Sequence, residues 1–135
     1  VLLGYIIEKT SGKNYQDALK ERIVSKIGLQ NTYLGGKTNA NENESFSYSF
    51  MGDWKPETET DLSIPGGAGA IVSTPTDLTK FIQALFDLKL VKQESLNQMT
   101  TAQMGMFKYP IYDKFAYGHS GGIDGYNSML LYSPE

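Results

Sequence analysis

One short segment near the C-terminal end carries residue types that can do chemistry, Gly118-His119-Ser120-Gly121-Gly122. Its G-x-S-x-G spacing is that of a nucleophile elbow, where a serine tops a sharp turn from a strand into a helix. Here the next residues predict a turn at Asp124-Gly125 and then an aromatic and apolar strand. Hydrolases with that elbow also place their histidine after the serine, whereas His119, the only histidine, precedes it. The pattern therefore argues against Ser120 as a nucleophile.

The same segment fits the end of a strand that enters a hairpin. Large and small side chains alternate along it, Phe115, Tyr117 and His119 against Ala116, Gly118 and Ser120. Small residues leave room beside the main chain, so that a substrate carbonyl can approach and accept an N–H bond, as in an oxyanion hole. We therefore predict a substrate-binding strand.

Taken one at a time, these residues also have simpler interpretations. His119 alone is typical of a strand histidine hydrogen-bonded at the edge of a core, and Ser120 of any small strand residue. Gly66-Gly67-Ala68-Gly69 has neither the third glycine of a dinucleotide fingerprint nor the Lys-Ser/Thr of a P-loop, which favours a tightly packed loop over a phosphate site. With one histidine and no cysteine, we expect no metal site.

His119-Ser120-Gly121 resembles the third motif of the serine β-lactamase and penicillin-binding-protein superfamily, in which Lys or His is followed by Ser or Thr and then Gly. The resemblance is to the class C-like esterase, D-aminopeptidase and carboxypeptidase branch. Three further segments resemble the same branch in matching order and spacing: the helix 2–12 that follows the Y-x-N motif, the glycine-rich loop and helix start 65–78, and the hairpin 122–126.

The resemblance implies a role for each residue of the motif. His119 would stand in the place of the motif's lysine, near the nucleophile and the tyrosine base, and act in catalysis. Ser120 would offer its hydroxyl to the substrate, and Gly121 would allow the substrate to approach closely. Gly122 would supply a backbone N–H to the oxyanion hole, opposite the N–H of the nucleophilic serine.

Two motifs of that superfamily are missing from the sequence: S-x-x-K, which holds the nucleophile, and Y-x-N, which holds the tyrosine. We therefore expect residues 1–135 to be the C-terminal portion of one catalytic domain, truncated at both ends. The expected fold class is α+β, a partial β-lactamase/transpeptidase-like fold with a helical region and two strands of the antiparallel sheet. The implied parent enzyme is a serine hydrolase that forms an acyl-enzyme on an amide, ester or β-lactam carbonyl and needs no cofactor. This part alone is expected to be inactive.

The composition of the chain limits the classes of partner that we expect. The 135 residues are 40% hydrophobic and 20% charged, which is the range of a folded domain, and the net charge of -3 gives no reason to expect nucleic acid. No apolar run approaches the roughly 20 residues of a membrane span. We expect a small-molecule or peptide substrate, and the resemblance favours an exported, periplasmic or cell-surface protein.

Periodicity predicts the elements that must position the motif. Helices are expected over 1–11, from an Asn14 cap to Gly28, from a Thr74 cap onward, and over 93–99, with a short strand over 46–50. Residues 104–113 show no clear period and are expected to run over the surface. Trp54, beside Pro56, fits a packing anchor better than a substrate contact.

A different class of function also fits the sequence. A hydrolase-like remnant without its nucleophile would serve as a non-catalytic interaction module. In either case, we expect the missing segments to leave a sheet edge and apolar faces exposed, through which the chain would self-associate.

Overall fold

The computed structural model describes residues 1–134 and has an α+β architecture, in agreement with the predicted fold class. Its α-helices are α1 (Leu2–Ser11), α2 (Tyr15–Leu19), α3 (Ser25–Ile27), α4 (Pro75–Phe86) and α5 (Gln93–Thr101). Its strands are β1 (Tyr33–Leu34), β2 (Tyr48–Phe50), β3 (Trp54–Pro56), β4 (Ile71–Val72), β5 (Phe107–Ile111), β6 (Lys114–Ile123) and β7 (Tyr126–Tyr132). No helix among residues 1–134 has the length and apolar character needed to cross a membrane.

The first two helices begin and end where the sequence predicts. Gly12 ends α1 in the left-handed conformation at φ 68°, and Gly28 ends α3 in the same way. The Asn14 side chain accepts a hydrogen bond from the Asp17 N–H at the start of α2. A π-helical segment, Lys20–Val24, joins α2 to α3, so that the predicted single helix continues with one change in its winding.

Helix α4 carries the core of the C-terminal half. Thr74 caps it, Pro75 occupies its first turn, and the predicted apolar face points inward, with Ile82 and Leu85 buried. The Phe86 ring stacks on Tyr132 of β7 at a centroid distance of 4.1 Å. Helix α4 therefore supports the face of the sheet from which the side chains of Tyr117 and Tyr132 project.

The three-stranded antiparallel sheet has the order β5-β6-β7, with β6 in the middle. The segment 104–113 lies mostly on the surface, as expected, but the prediction missed its strand, since β5 pairs with β6 from Ile111↔Lys114 to Phe107↔Gly118. Pro110 had weakened the strand pattern, but it faces Phe115 in a pair that exchanges no hydrogen bonds, where a missing N–H costs nothing. The sheet thus has three strands in this chain, one more than predicted.

Helix α1 packs against the glycine-rich loop on one side and is largely exposed elsewhere. Its Gly4 is buried against Gly67, where an added Cβ at Gly67 would lie 3.0 Å from the Cα of Gly4. The glycine-rich loop is therefore tightly packed against a helix, as predicted. Most apolar side chains of α1 are exposed, with Leu2 at 76% and Leu3 at 73% of their full accessible surface, whereas Ile7 is half-buried.

Candidate functional site

The candidate site lies along the distal half of β6, which we define as residues His119–Ile123. Strand β5 pairs with β6 only as far as Gly118, whereas β7 continues beside it up to Tyr126. The distal half of β6 is thus paired on one side, and its other edge is open within the part of the chain that the structure describes. An open strand edge presents main-chain N–H and C=O groups to a ligand.

The register determines which main-chain groups face the open edge. Ile123 and Tyr126 close a two-residue turn and form a hydrogen-bonded pair, and such pairs alternate with non-bonded pairs along the ladder. His119, Gly121 and Ile123 therefore direct their N–H groups toward β7. Ser120 and Gly122 direct theirs away from β7, and neither N–H has a backbone partner among residues 1–134. Gly122, the predicted oxyanion donor, thus carries a free N–H on the open edge.

Three of the four predicted residues share one concavity. Ser120, Gly121 and Gly122 line a shallow, open depression of about 560 Å³ together with residues of β7, Asn127, Ser128 and Met129. The β7 residues were not predicted as part of a site. The length of a hairpin turn sets the register of its strands. Counting outward from the two-residue turn pairs Gly122 with Asn127 and Ser120 with Met129, so the sequence alone could have placed these β7 residues beside the motif.

His119 does not line that concavity. Its imidazole lies beside the Phe107 ring at a centroid distance of 5.1 Å, and its Nδ1 contacts the Ser120 carbonyl oxygen. A carbonyl oxygen only accepts hydrogen bonds, so Nδ1 carries a proton in this arrangement. The other ring nitrogen, Nε2, is then the one that can exchange a proton with a ligand or a neighbouring side chain.

The two strands lie so close together that glycine is required at some positions but not at others. A Cβ at Gly118 would lie 1.8 Å from the Leu130 carbonyl oxygen, and a Cβ at Gly121 would lie 2.8 Å from the Ser128 hydroxyl. A Cβ at Gly122 would meet nothing nearer than 3.6 Å, an ordinary contact. The absence of a side chain at Gly122 is therefore not demanded by packing and leaves its N–H accessible.

A polar network holds the hairpin turn between β6 and β7. The Tyr126 hydroxyl lies 2.6 Å from the Ser45 carbonyl oxygen and 2.9 Å from Glu59 Oε1, and its one proton is shared between these two acceptors. Burial raises the pKa of the Glu59 carboxyl. Hydrogen bonds from Thr38, Ser47 and Tyr126 outweigh this effect and hold the pKa below its usual value. Burial, with the nearby Glu59 charge, raises the pKa of the Tyr126 hydroxyl.

Trp54 lies away from the concavity. It is exposed, at 71% of its full accessible surface, and its ring packs against Phe50 across the β2–β3 hairpin at a centroid distance of 5.2 Å. The pairing agrees with a local packing role, and contact with a substrate stays a prediction. Among residues 1–134, no cluster of histidine and carboxylate side chains is arranged to hold a metal ion.

Comparison with solved structures finds the same fold in larger enzymes. The D-stereospecific amidohydrolase from Streptomyces sp. is 29% identical with a TM-score of 0.82, and covers 98% of this chain, which matches 44% of that protein. The D-amino acid amidase from Ochrobactrum anthropi SV3 is 29% identical with a TM-score of 0.79, over the same shares of the two chains.

Comparison with curated proteins agrees with the structural result. A Bacillus subtilis (strain 168) protein named as a penicillin-binding protein, PbpX, is 30% identical over an alignment of 142 positions, gaps included, that covers 98% of this chain and 34% of that protein. The chain thus spans about a third of the length of such relatives. The family model described as Beta-lactamase matches residues 1–135, and the chain belongs to the β-lactamase family.

Proposed function

We propose that this chain is the C-terminal portion of the catalytic domain of a serine hydrolase that works through an acyl-enzyme. The observation that carries the proposal is the free N–H of Gly122 on the open edge of β6, in a chain that belongs to the β-lactamase family. A donor that faces an open cleft can stabilise negative charge on the carbonyl oxygen of an amide, ester or lactam.

The proposed reaction has two steps. The Oγ of a serine outside residues 1–135 loses its proton to a general base, which later passes that proton to the leaving group, and bonds to the substrate carbonyl carbon while the C=O π electrons move onto oxygen. This oxyanion accepts a hydrogen bond from the Gly122 N–H. Collapse of the intermediate breaks the bond to the amine or alcohol, which leaves with a proton, and water later hydrolyses the acyl-enzyme.

The remaining motif residues have supporting roles in the proposal. Ser120, beside Gly122 on the same concavity, offers its hydroxyl and its free N–H to the substrate. Gly121 has no side chain at the point where the Ser128 hydroxyl lies close to it, which leaves room for the substrate to approach the strand. His119, with Nδ1 bonded to the Ser120 carbonyl, has Nε2 available to move a proton or to hold the substrate.

The substrate class is the least determined part of the proposal. Two of the similar structures are named for action on D-amino acid amides or for D-stereospecificity. Amides of D-amino acids are therefore the first substrates to test, before lactams and esters. The concavity is shallow and open in this chain, so the groups that enclose the substrate must be supplied in part by residues outside 1–135.

The decisive experiment is to locate the acylated serine. The full-length protein is treated with a fluorescent penicillin or a fluorophosphonate, digested, and analysed by mass spectrometry. Labelling of a serine upstream of Val1 is the expected result. Labelling of Ser120, or of any other serine within residues 1–135, would overturn the proposal.

The isolated 135-residue chain provides a second test. Without the nucleophile and base it is expected to hydrolyse neither a chromogenic β-lactam nor a p-nitrophenyl ester. Hydrolysis that disappears in Ser120→Ala would contradict this expectation.

We also propose that the isolated chain self-associates. The observation in favour is its exposed apolar surface, which includes Leu2, Leu3 and Ile6 of α1, together with the open edge of β6. Light scattering coupled to size-exclusion chromatography should give a mass above 15.0 kDa. A monomer at micromolar concentration would rule out the self-association.

A further inference from the structure

The turn between β6 and β7 is attached to a distant segment at three consecutive residues. The Asp124 carboxylate accepts hydrogen bonds from the Thr60 N–H at 2.7 Å and from the Thr60 hydroxyl at 2.9 Å. A Cβ on Gly125 would lie 2.7 Å from the Tyr48 carbonyl oxygen, so Gly125 packs directly on the main chain of β2. The Tyr126 hydroxyl bonds to Ser45 and Glu59. All of these partners lie between residues 45 and 60.

These contacts compensate for a weakness in the distal half of β6. A two-stranded ribbon is only marginally stable in water, and the distal half has β7 as its one strand partner among the described residues. Without further support, the end of such a ribbon frays. Gly122 lies two residues from Asp124, so any movement of the turn moves its N–H.

Asp124 holds the turn through its side chain. Its φ is 50°, in the left-handed region, which aspartate and asparagine adopt more readily than most residues other than glycine. The side chain is exposed, so burial does not hold it in place. The two hydrogen bonds from Thr60 are the contacts that hold the carboxylate, and through it the turn, in one position.

We infer that Asp124 is a positioning residue, which fixes the Gly122 N–H on the open edge of β6 by binding Thr60 through both carboxylate oxygens. This inference rests on the proposed function, in which that N–H stabilises the oxyanion. Asp124 itself touches no reacting atom. It acts by limiting the motion of a donor whose position must match the transition state to a fraction of an ångström.

The test compares two aspartates at opposite ends of the same strand in the full-length protein. Asp124→Asn loses a charged acceptor at the Thr60 contact, whereas Asp113→Asn changes an exposed aspartate in the turn between β5 and β6, far from Gly122. The rate of inactivation by a fluorophosphonate is measured because the reagent develops an oxyanion at the same donor. We expect Asp124→Asn to slow it about tenfold, below the roughly 100-fold loss of a missing donor, and Asp113→Asn to change it less than about twofold.

Two variants of Thr60 test the same contact from its other side. Thr60→Val removes the hydroxyl but keeps the N–H, and is expected to slow inactivation about threefold, while Thr60→Ser keeps both donors and retains the rate. The effects of Asp124→Asn and Thr60→Val should not multiply, because both act on one contact. With a hydrolysed substrate, the loss should fall on kcat and leave KM nearly unchanged. Equal rates in the Asp124 and Asp113 variants, or a loss confined to KM, would overturn the inference.

A structural readout separates this inference from the proposed function. The ¹⁵N order parameter of the Gly122 N–H should fall in Asp124→Asn and stay at its wild-type value in Asp113→Asn. An unchanged order parameter in both variants would disprove positioning, whether or not the protein reacts with the probe. A wild-type protein that neither a fluorophosphonate nor a fluorescent penicillin labels would refute the proposed function alone.

Discussion

The two halves of β6 both contain small residues but have different surroundings. Both halves are rich in small residues, Ala116 and Gly118 in the proximal half, and Ser120, Gly121 and Gly122 in the distal half. In the proximal half, β5 pairs with the strand along its whole length, β7 joins on the other side at Tyr117 and Gly118, and Ala116 and Gly118 are buried. In the distal half, β5 is absent and the small residues are exposed. The same small side chains are closely packed in one half and exposed on an open edge in the other, where the proposed function places the substrate.

A small residue in a strand therefore does not by itself indicate either close packing or an exposed edge. A glycine flanked by strands on both sides is required where another main chain occupies the space of its Cβ. A glycine on an open edge keeps that space free. The following variants test the contrast, from the largest expected effect to the smallest.

The largest effect is expected from adding one methyl group to Gly118. In Gly118→Ala the new Cβ would lie 1.8 Å from the Leu130 carbonyl oxygen, and a main-chain atom in a sheet cannot move away without breaking the ladder. We expect the free energy of unfolding to fall by more than about 3 kcal/mol. The measurement is urea denaturation of the full-length protein.

The same substitution four residues later is the control. Gly122→Ala places its Cβ 3.6 Å from the Asn127 side chain, and is expected to change stability by less than about 1 kcal/mol. If the two alanine variants were equally stable, the contrast between the halves would be wrong.

The next effect concerns activity. Gly122→Pro removes the N–H that faces the open edge, and proline is tolerated on an edge where that N–H joins no ladder. We expect kcat to fall by about 100-fold or more, as for the loss of an oxyanion donor, with Gly122→Ala near the wild-type rate. Steady-state kinetics of the full-length enzyme give the result. If the Gly122→Pro enzyme kept its activity, the assignment of Gly122 as an oxyanion donor would be wrong.

The smallest effect is a pH dependence confined to the distal half. The Glu59 carboxyl has a lowered pKa in the folded protein, so its contribution to stability is present above its ordinary value of 4.5 and is lost as the pH falls through the folded value. Glu59→Gln is expected to be less stable than the wild type by about 1 kcal/mol at pH 7, and the difference should shrink below pH 4.5.

Hydrogen exchange locates that effect. The Gly121 N–H faces β7 in the distal half, and the Tyr117 N–H does so in the proximal half. Above pH 4.5, Glu59→Gln should speed exchange at Gly121 more than at Tyr117, since Glu59 supports the turn through Tyr126. Equal acceleration at both amides would mean that the network stabilises the whole sheet and not its distal half.

Local sequence signals predicted the elements whose cause is local. The Asn14 and Thr74 caps, the left-handed glycines Gly12 and Gly28, and the apolar face of α4 each depend on contacts within a few residues, and all were found where expected. Strand β5 was missed because Pro110 breaks the usual strand composition. It is tolerated only because its partner across the sheet requires no hydrogen bond from it.

The sequence by itself determined the motif His119-Ser120-Gly121-Gly122, the turn at Asp124-Gly125 and the family resemblance, since each is a matter of residue type and spacing along the chain. Only the tertiary structure decided which face and edge the motif occupies. The length of β5 opens the edge at Ser120 and Gly122, and Thr60, 64 residues from Asp124, secures the turn. Contacts between segments so far apart leave no periodic trace in the sequence, because each partner has its own local pattern and only the folded chain brings them together.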